Sequence, residues 1–186
     1  ILPLPAIQEA ISDVVKRVGA ASIDECSFCC VECIVPSLRD TIDDTLNDID
    51  GFNQINEFAQ SLAQKKRVWD GADRIKYKAL LEASGHPDLQ EATELMHGLE
   101  DYELRRDIAE SWDYAKLVLR EKYPDLPEEL FQTPQAARIG QRWLERGDAA
   151  ITDYGLIRRK DGGLLPHFQS EQERQIQQRQ GGMEMR

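Results

Sequence analysis

Apolar residues recur at three- and four-residue steps through most of the chain. Each such stretch stops at a glycine, a proline or a polar cluster, the pattern of a mainly helical protein. Ile49, Phe52, Ile55, Phe58, Ala59 and Leu62 form one stripe. They predict a helix over residues 50–64 with Asp50 as its cap, and Lys65, Lys66 and Arg67 follow where the helix dipole favours cations. Ile7, Ala10, Ile11, Val14, Val15 and Val18 make the stripe of an earlier helix over residues 5–18, opened by Pro5 and ended by Gly19. Residues 37–46 predict a short helix with Ser37 as N-cap. Further helices are expected over 73–83, stopped by SGHP at 84–87, and over 89–99, capped by Asp88. Two more are expected over 110–123, stopped by Pro124, and 134–146, closed by Gly147, with a helical turn at 127–131.

Two places break the helical period. SFCCVECIV at 27–35 is rich in aromatic and β-branched residues and stops at Pro36, so a strand is predicted there. Residues 149–151 and 154–159 alternate around Asp153 and Gly155 and predict two short strands. The expected fold is therefore α+β and predominantly helical, an elongated modular chain with a small helical bundle in the middle. Its predicted parts are an N-terminal α/β subdomain over 1–48, a helical subdomain over 49–104, a C-terminal α+β subdomain over 105–163 and a polar tail over 164–186. From Gln169 the tail is Gln-rich and reads as a solvated helix or a disordered segment.

With 186 residues, 41% of them hydrophobic and 31% charged, the chain can bury a real core. No apolar run approaches the roughly 18 residues of a membrane span. The start, ILPLPAI, lacks the basic region and cleavage site of a secretory leader, so a cytoplasmic protein is expected. A net charge of −11 argues against direct binding of nucleic acid and against a membrane partner, and points to a basic protein partner. The charge is unevenly placed: residues 1–64 hold 11 acidic and 3 basic side chains, whereas residues 102–163 hold 12 and 11. Asp40, Asp43, Asp44, Asp48, Asp50 and Glu57 crowd within eighteen positions. A folded protein tolerates such repulsion only where the charges face water or a cationic partner.

Other chemistry is thinly supported. Cys26, Cys29, Cys30 and Cys33 make two CxxC pairs with no linker between them, whereas tetrahedral zinc sites separate their pairs by a dozen or more residues. On a strand, Cys26 and Cys30 would face one way and Cys29 and Cys33 the other. The expectation is buried or idle thiols, with no metal and no cofactor. Asp48, Asp50, Gly51 and Glu57 occupy positions 3, 5, 6 and 12 of a calcium loop, but Leu46 stands where the first ligand belongs. His86, His97 and His167 are scattered, and no phosphate-cradling glycine loop occurs, so a non-enzymatic protein is expected.

Several segments taken together resemble a known family. LPLPA and KRVG at the ends of the first helix, the short strand, Pro36, the acidic run and INEFAQSL at 55–62 are followed by LQEATELMHGLEDYEL at 89–104. DYAKLVL at 113–119, LPEEL at 126–130 and AAITDYGLI at 149–157 come next. In this order they resemble the ArdA antirestriction proteins of conjugative elements. The resemblance implies an acidic α+β protein that mimics the phosphate backbone of bent B-form DNA, dimerises through its C-terminal part and occupies the DNA groove of type I restriction–modification enzymes. On that reading Asp40, Asp43, Asp44, Asp48, Asp50 and Glu57 stand for phosphates. Glu82, Asp88, Glu91, Glu94, Glu100 and Asp101 extend the patch, and Ile151, Thr152, Tyr154 and Gly155 mark the dimer region of a homodimer. The same four residues also fit a plain hairpin.

Two departures accompany the resemblance. The strand and glycine-containing turn that open the family pattern have no counterpart here, so the first sheet is expected to be incomplete. Residues 102–163 are nearly neutral, with Arg105, Arg106, Arg158, Arg159 and Lys160 among them. The expected function is inhibition, without catalysis, of a type I restriction–modification enzyme through its methyltransferase and specificity subunits. The alternative is a mobile-element interaction module that inhibits another nuclease or a CRISPR effector.

Overall fold

The computed structural model describes residues 1–166 and shows a predominantly helical α+β protein. The expectations on His167 and on the tail from Gln169 lie outside the described residues. Among the described residues no helix is long and apolar enough to cross a membrane. The chain divides into two compact units. One is formed by Ile1–Leu81 with His86–Gly98, and the other by Glu82–Gly85 with the chain from Leu99 onward.

In the first unit, α1 (Gln8–Val18) starts three residues later than its stripe suggests, because residues 5–7 are tied elsewhere. The Asn56 side chain accepts the Ala6 N–H at 2.7 Å and donates to the Ala6 carbonyl at 3.0 Å. Gly19, at φ 78°, closes the helix in the left-handed turn that the sequence predicts. A 3-10 turn over Pro36–Leu38 leads into α2 (Arg39–Thr45), so Ser37 lies inside that turn and does not cap α2. Helix α3 (Ile49–Val68) is longer than predicted at both ends, and its cap is Asp48 rather than Asp50. Asp48 Oδ1 accepts the Gly51 N–H at 2.8 Å. A methyl group at Gly51 would lie 1.8 Å from the Thr45 carbonyl oxygen, so only glycine lets α2 and α3 meet so closely.

Helices α4 (Gly71–Ala83) and α5 (Leu89–His97) complete the bundle, with Tyr77, Ala79, Leu80, Leu81, Ala92, Leu95 and Met96 buried. The Tyr77 hydroxyl donates to the Ala92 carbonyl at 2.8 Å, which satisfies the polar end of a buried ring. A second cluster gathers Ala6, Ile11 and Phe52 with Val15, Phe28, Leu46 and Ile49.

The strand predicted at 27–35 does not form. No partner strand lies in this unit, and a lone strand would leave its backbone groups unpaired. The segment is an irregular loop pinned at both ends. Phe28 stacks on Phe52 with centroids 5.1 Å apart, and Val35 is buried ahead of Pro36.

The second unit holds the sheet. Strand β1 (Tyr102–Arg105), not predicted from the sequence, pairs with β3 (Gly155–Arg159), which also pairs with β2 (Ala149–Thr152). The order is β1-β3-β2, both pairings antiparallel, with Leu104 opposite Ile157 and Ile151 opposite Leu156. Helices α6 (Ser111–Lys122) and α7 (Pro134–Leu144) pack beside it, joined through a 3-10 segment over Glu128–Gln132. Ile108, Tyr114, Ala149 and Leu156 form the core with Leu117, Val118, Trp143, Leu144 and Ile151 against them. A methyl group at Gly140 would meet the Ser111 carbonyl oxygen at 1.8 Å, which fixes the crossing of α6 and α7 at backbone contact.

Candidate acidic face

Helix α2 and the first half of α3 carry the densest acidity. Asp40 and Asp44 are one helical turn apart on α2, and Asp50 and Glu57 are two turns apart on α3, so each pair shares a face. Asp40, Asp43, Asp44, Asp48, Asp50 and Glu57 are all exposed. The apolar stripe of α3 holds them in place: Phe52, Ile55, Phe58 and Leu62 are buried on the opposite side.

The six carboxylates are not equivalent. Asp48 is used as the α3 cap. Asp43 Oδ1 accepts the Cys30 backbone N–H at 3.1 Å, and its Oδ2 lies 3.9 Å from Arg39. Asp40, Asp44, Asp50 and Glu57 take part in no ion pair among the described residues. Asp40 and Asp50 sit in the first turns of α2 and α3, where the helix dipole offsets part of their mutual repulsion.

The predicted extension of the patch separates into two groups. Asp88, Glu91 and Glu94 are exposed on α5 in the first unit, and two of them build a capping box. Asp88 Oδ1 accepts the Glu91 N–H at 2.8 Å, and Glu91 Oε2 accepts the Asp88 N–H at 3.1 Å. Glu94 accepts the Gln90 amide at 2.9 Å. Glu82, Glu100 and Asp101 belong to the second unit. Glu82 is only partly exposed and anchors a turn, its Oε1 accepting the Asp153 N–H at 2.9 Å. Glu100 and Asp101 are exposed in a 3-10 turn, and the Asp101 carbonyl accepts the Lys160 N–H at 2.9 Å.

Five carboxylates of the second unit meet a cation among the described residues, Glu121 among them at 3.8 Å from Arg158. Glu103 meets Arg158 at 3.0 Å, Asp107 meets Arg105 at 2.9 Å, Asp161 meets Arg159 at 2.6 Å, and Glu128 is gripped by both Lys116 and Arg120. Hydrogen bonds from Arg105, Lys116 and Arg159 hold Asp107, Glu128 and Asp161 below the usual carboxylate range. Burial pushes the Tyr114 phenol up to about 12. The Glu103–Arg158 pair was not legible from composition, because it joins β3 to a strand the sequence did not announce.

The residues expected at a dimer contact make the β2–β3 turn. Thr152 is buried, and its Oγ1 donates to the Gly155 carbonyl at 2.8 Å and accepts the Tyr154 N–H at 3.2 Å. Gly155 has φ 121° and passes so close to Arg105 that a methyl there would lie 2.5 Å from its carbonyl oxygen. Ile151 packs on the unit's core, and Tyr154 is half exposed. An open hollow of about 580 Å³ lies beside β2, lined by Glu110, Ser111, Gln141, Glu145 and alanine and leucine side chains.

Metal geometry does not assemble. Among the described residues no group of three or more His, Cys, Asp or Glu converges on a common point. The calcium-like spacing falls on α3, where residues 49–57 are helical, so Asp50 and Glu57 cannot fold back around an ion with Asp48. His86 and His97 are both exposed. What the fold and its surface define is a helical α+β protein with an acidic face on its first unit, four of whose carboxylates make no ion pair among the described residues. No family model, no curated protein and no solved structure matches the chain.

Proposed function

We propose that the chain is a non-catalytic inhibitor that offers the acidic face of α2 and α3 in place of DNA phosphates to the basic DNA groove of a type I restriction–modification enzyme. The observation that carries this reading is the contrast in pairing. Among the described residues Asp40, Asp44, Asp50 and Glu57 stand on rigid helices without a cationic partner, while Glu103, Asp107, Glu121, Glu128 and Asp161 of the second unit are matched by arginine or lysine. Unmatched charge costs folding stability through repulsion, so its maintenance on one face fits a surface completed by a basic partner. The ordered resemblance to the ArdA antirestriction proteins names the partner: the methyltransferase and specificity subunits, engaged by a homodimer joined near Ile151, Thr152, Tyr154 and Gly155.

The near balance of acidic and basic residues over 102–163 favours a second reading. An acidic surface confined to one unit fits a shorter basic groove, such as that of another nuclease or a CRISPR effector. Titrating the chain into a purified type I methyltransferase–specificity complex separates the two. Binding that weakens steeply between low and physiological salt, and that duplex DNA displaces, supports the first. Binding that duplex DNA leaves intact contradicts it. Capture of a different nuclease with the same salt and DNA sensitivity supports the second.

A further inference from the structure

We propose that Cys30 and Cys33 form a redox-active dithiol that closes to a disulfide by exchange with a small disulfide of the glutathione type. The four cysteines lie in the irregular loop between Phe28 and Val35 or just before it, and none is in a disulfide. Their sulfurs do not converge as a group of three or more, so chemistry here is pairwise.

Two CxxC pairs of equal ring size compete, and the fold distinguishes them. Cys26 ends a 3-10 turn: its N–H donates to Ile23 and its thiol to the Ser22 carbonyl at 3.7 Å. Between Cys26 and Cys29, Phe28 is clamped on Phe52, and Cys29 is exposed. Closing that pair would move an anchored ring. Between Cys30 and Cys33, by contrast, Val31 and Glu32 are both exposed, Val31 to 60%. Cys30 and Cys33 are both half-buried, and Cys33 is the strongest charged neighbour of the Cys30 thiol when both ionise, ahead of Asp43, Arg39 and Cys29. The loop is held lightly, by the Cys30 N–H on Asp43 and the Cys33 thiol on the Val35 carbonyl at 3.0 Å.

The exchange opens at Cys33, whose thiol is held only by its hydrogen bond to the Val35 carbonyl among the described residues. Its thiolate bonds to one sulfur of the small disulfide, whose S–S bond breaks and releases one thiolate. The Cys30 thiolate then attacks Cys33 sulfur and expels the second. Two protein thiols are oxidised, one disulfide is reduced to two thiols, and the two protons pass to the leaving thiolates.

Cleavage after Arg17 and Arg39 leaves all four cysteines on one peptide, 18–39. The test is to equilibrate the full chain in glutathione buffers of graded oxidation, block free thiols, digest and map the bond by fragment mass. The folded chain should lose two hydrogens and place the bond at 30–33 several-fold more often than at 26–29, while the urea-unfolded chain should form both equally. A C26S/C29S variant should keep the two-hydrogen loss, and C33S should shift what bond remains to other sulfurs. Equal occupancy of the two pairs in folded and unfolded chain, or four free thiols at every ratio, would overturn the proposal. So would a tightly held, stoichiometric zinc ion in the intact-protein mass.

Discussion

Asp44 and Asp48 are four residues apart and both exposed, yet they do different work. Asp48 accepts the Gly51 N–H and starts a twenty-residue helix, whereas the Asp44 carboxylate makes no hydrogen bond or ion pair among the described residues. Replacing Asp48 by alanine removes a helix cap and should lower stability by about 1 kcal/mol, seen as a fall in the thermal midpoint. Replacing Asp44 by asparagine should leave that midpoint within about 0.5 kcal/mol of wild type and act instead on partner affinity. A D44N midpoint that falls as far as that of D48A would place Asp44 in the scaffold. Sequence spacing grouped the two together, because charge density is visible in a linear chain and capping geometry is not. The cap was misplaced by two positions for the same reason: Asp48 and Asp50 are both plausible N-caps, and the close meeting of α2 and α3 at Gly51 decides between them.

At the scale of elements, long amphipathic stripes and the short strands β2 and β3 are legible in the sequence, whereas the loop at 27–35 and strand β1 are not. Helices α3, α4 and α5 follow their apolar periods and stop signals. The loop at 27–35 has strand-like composition without a partner. β1, in the sequence YELR, has little strand character and forms because β3 offers it an edge. The connection between α6 and α7 supplies an acid-sensitive link of this kind. Glu128 is held below its ordinary carboxylate range first by Lys116 and also by Arg120. A depressed folded value means that the unfolded chain takes up protons first as pH falls. The stabilisation is therefore full above the ordinary value of 4.5 and is lost as pH falls through the lower folded value. Thermal unfolding of E128Q should lie below wild type at pH 7, and the gap should close toward pH 3. A gap of constant size across that range would assign the effect to packing.

For the whole molecule, the division into two units organises the charge. The asymmetry of the sequence, acidic at its start and nearly balanced after residue 101, becomes a difference between a face whose Asp40, Asp44, Asp50 and Glu57 make no ion pair among the described residues and a unit in which five acids do. Of the twelve carboxylates read as phosphate substitutes, nine lie on the first unit and three on the second, where Glu82 is engaged with a turn. The pairing of Glu103 with Arg158 could not be seen from the sequence, since it depended on β1.

The most direct measurement compares two variants that remove equal charge. D40N/D44N/D50N/E57Q strips the face of α2 and α3, and D125N/E129Q/E145Q/D153N strips four exposed acids of the second unit. Affinity of each for the purified type I methyltransferase–specificity complex is read at fixed salt. At about 0.7 kcal/mol for each charge that meets a basic partner, the first variant should bind on the order of a hundredfold more weakly. The second should stay within about threefold of wild type, since charges away from the contact act only through screened, long-range attraction. Equal losses in the two variants, or none in the first, would contradict the assignment of partner binding to the acidic face.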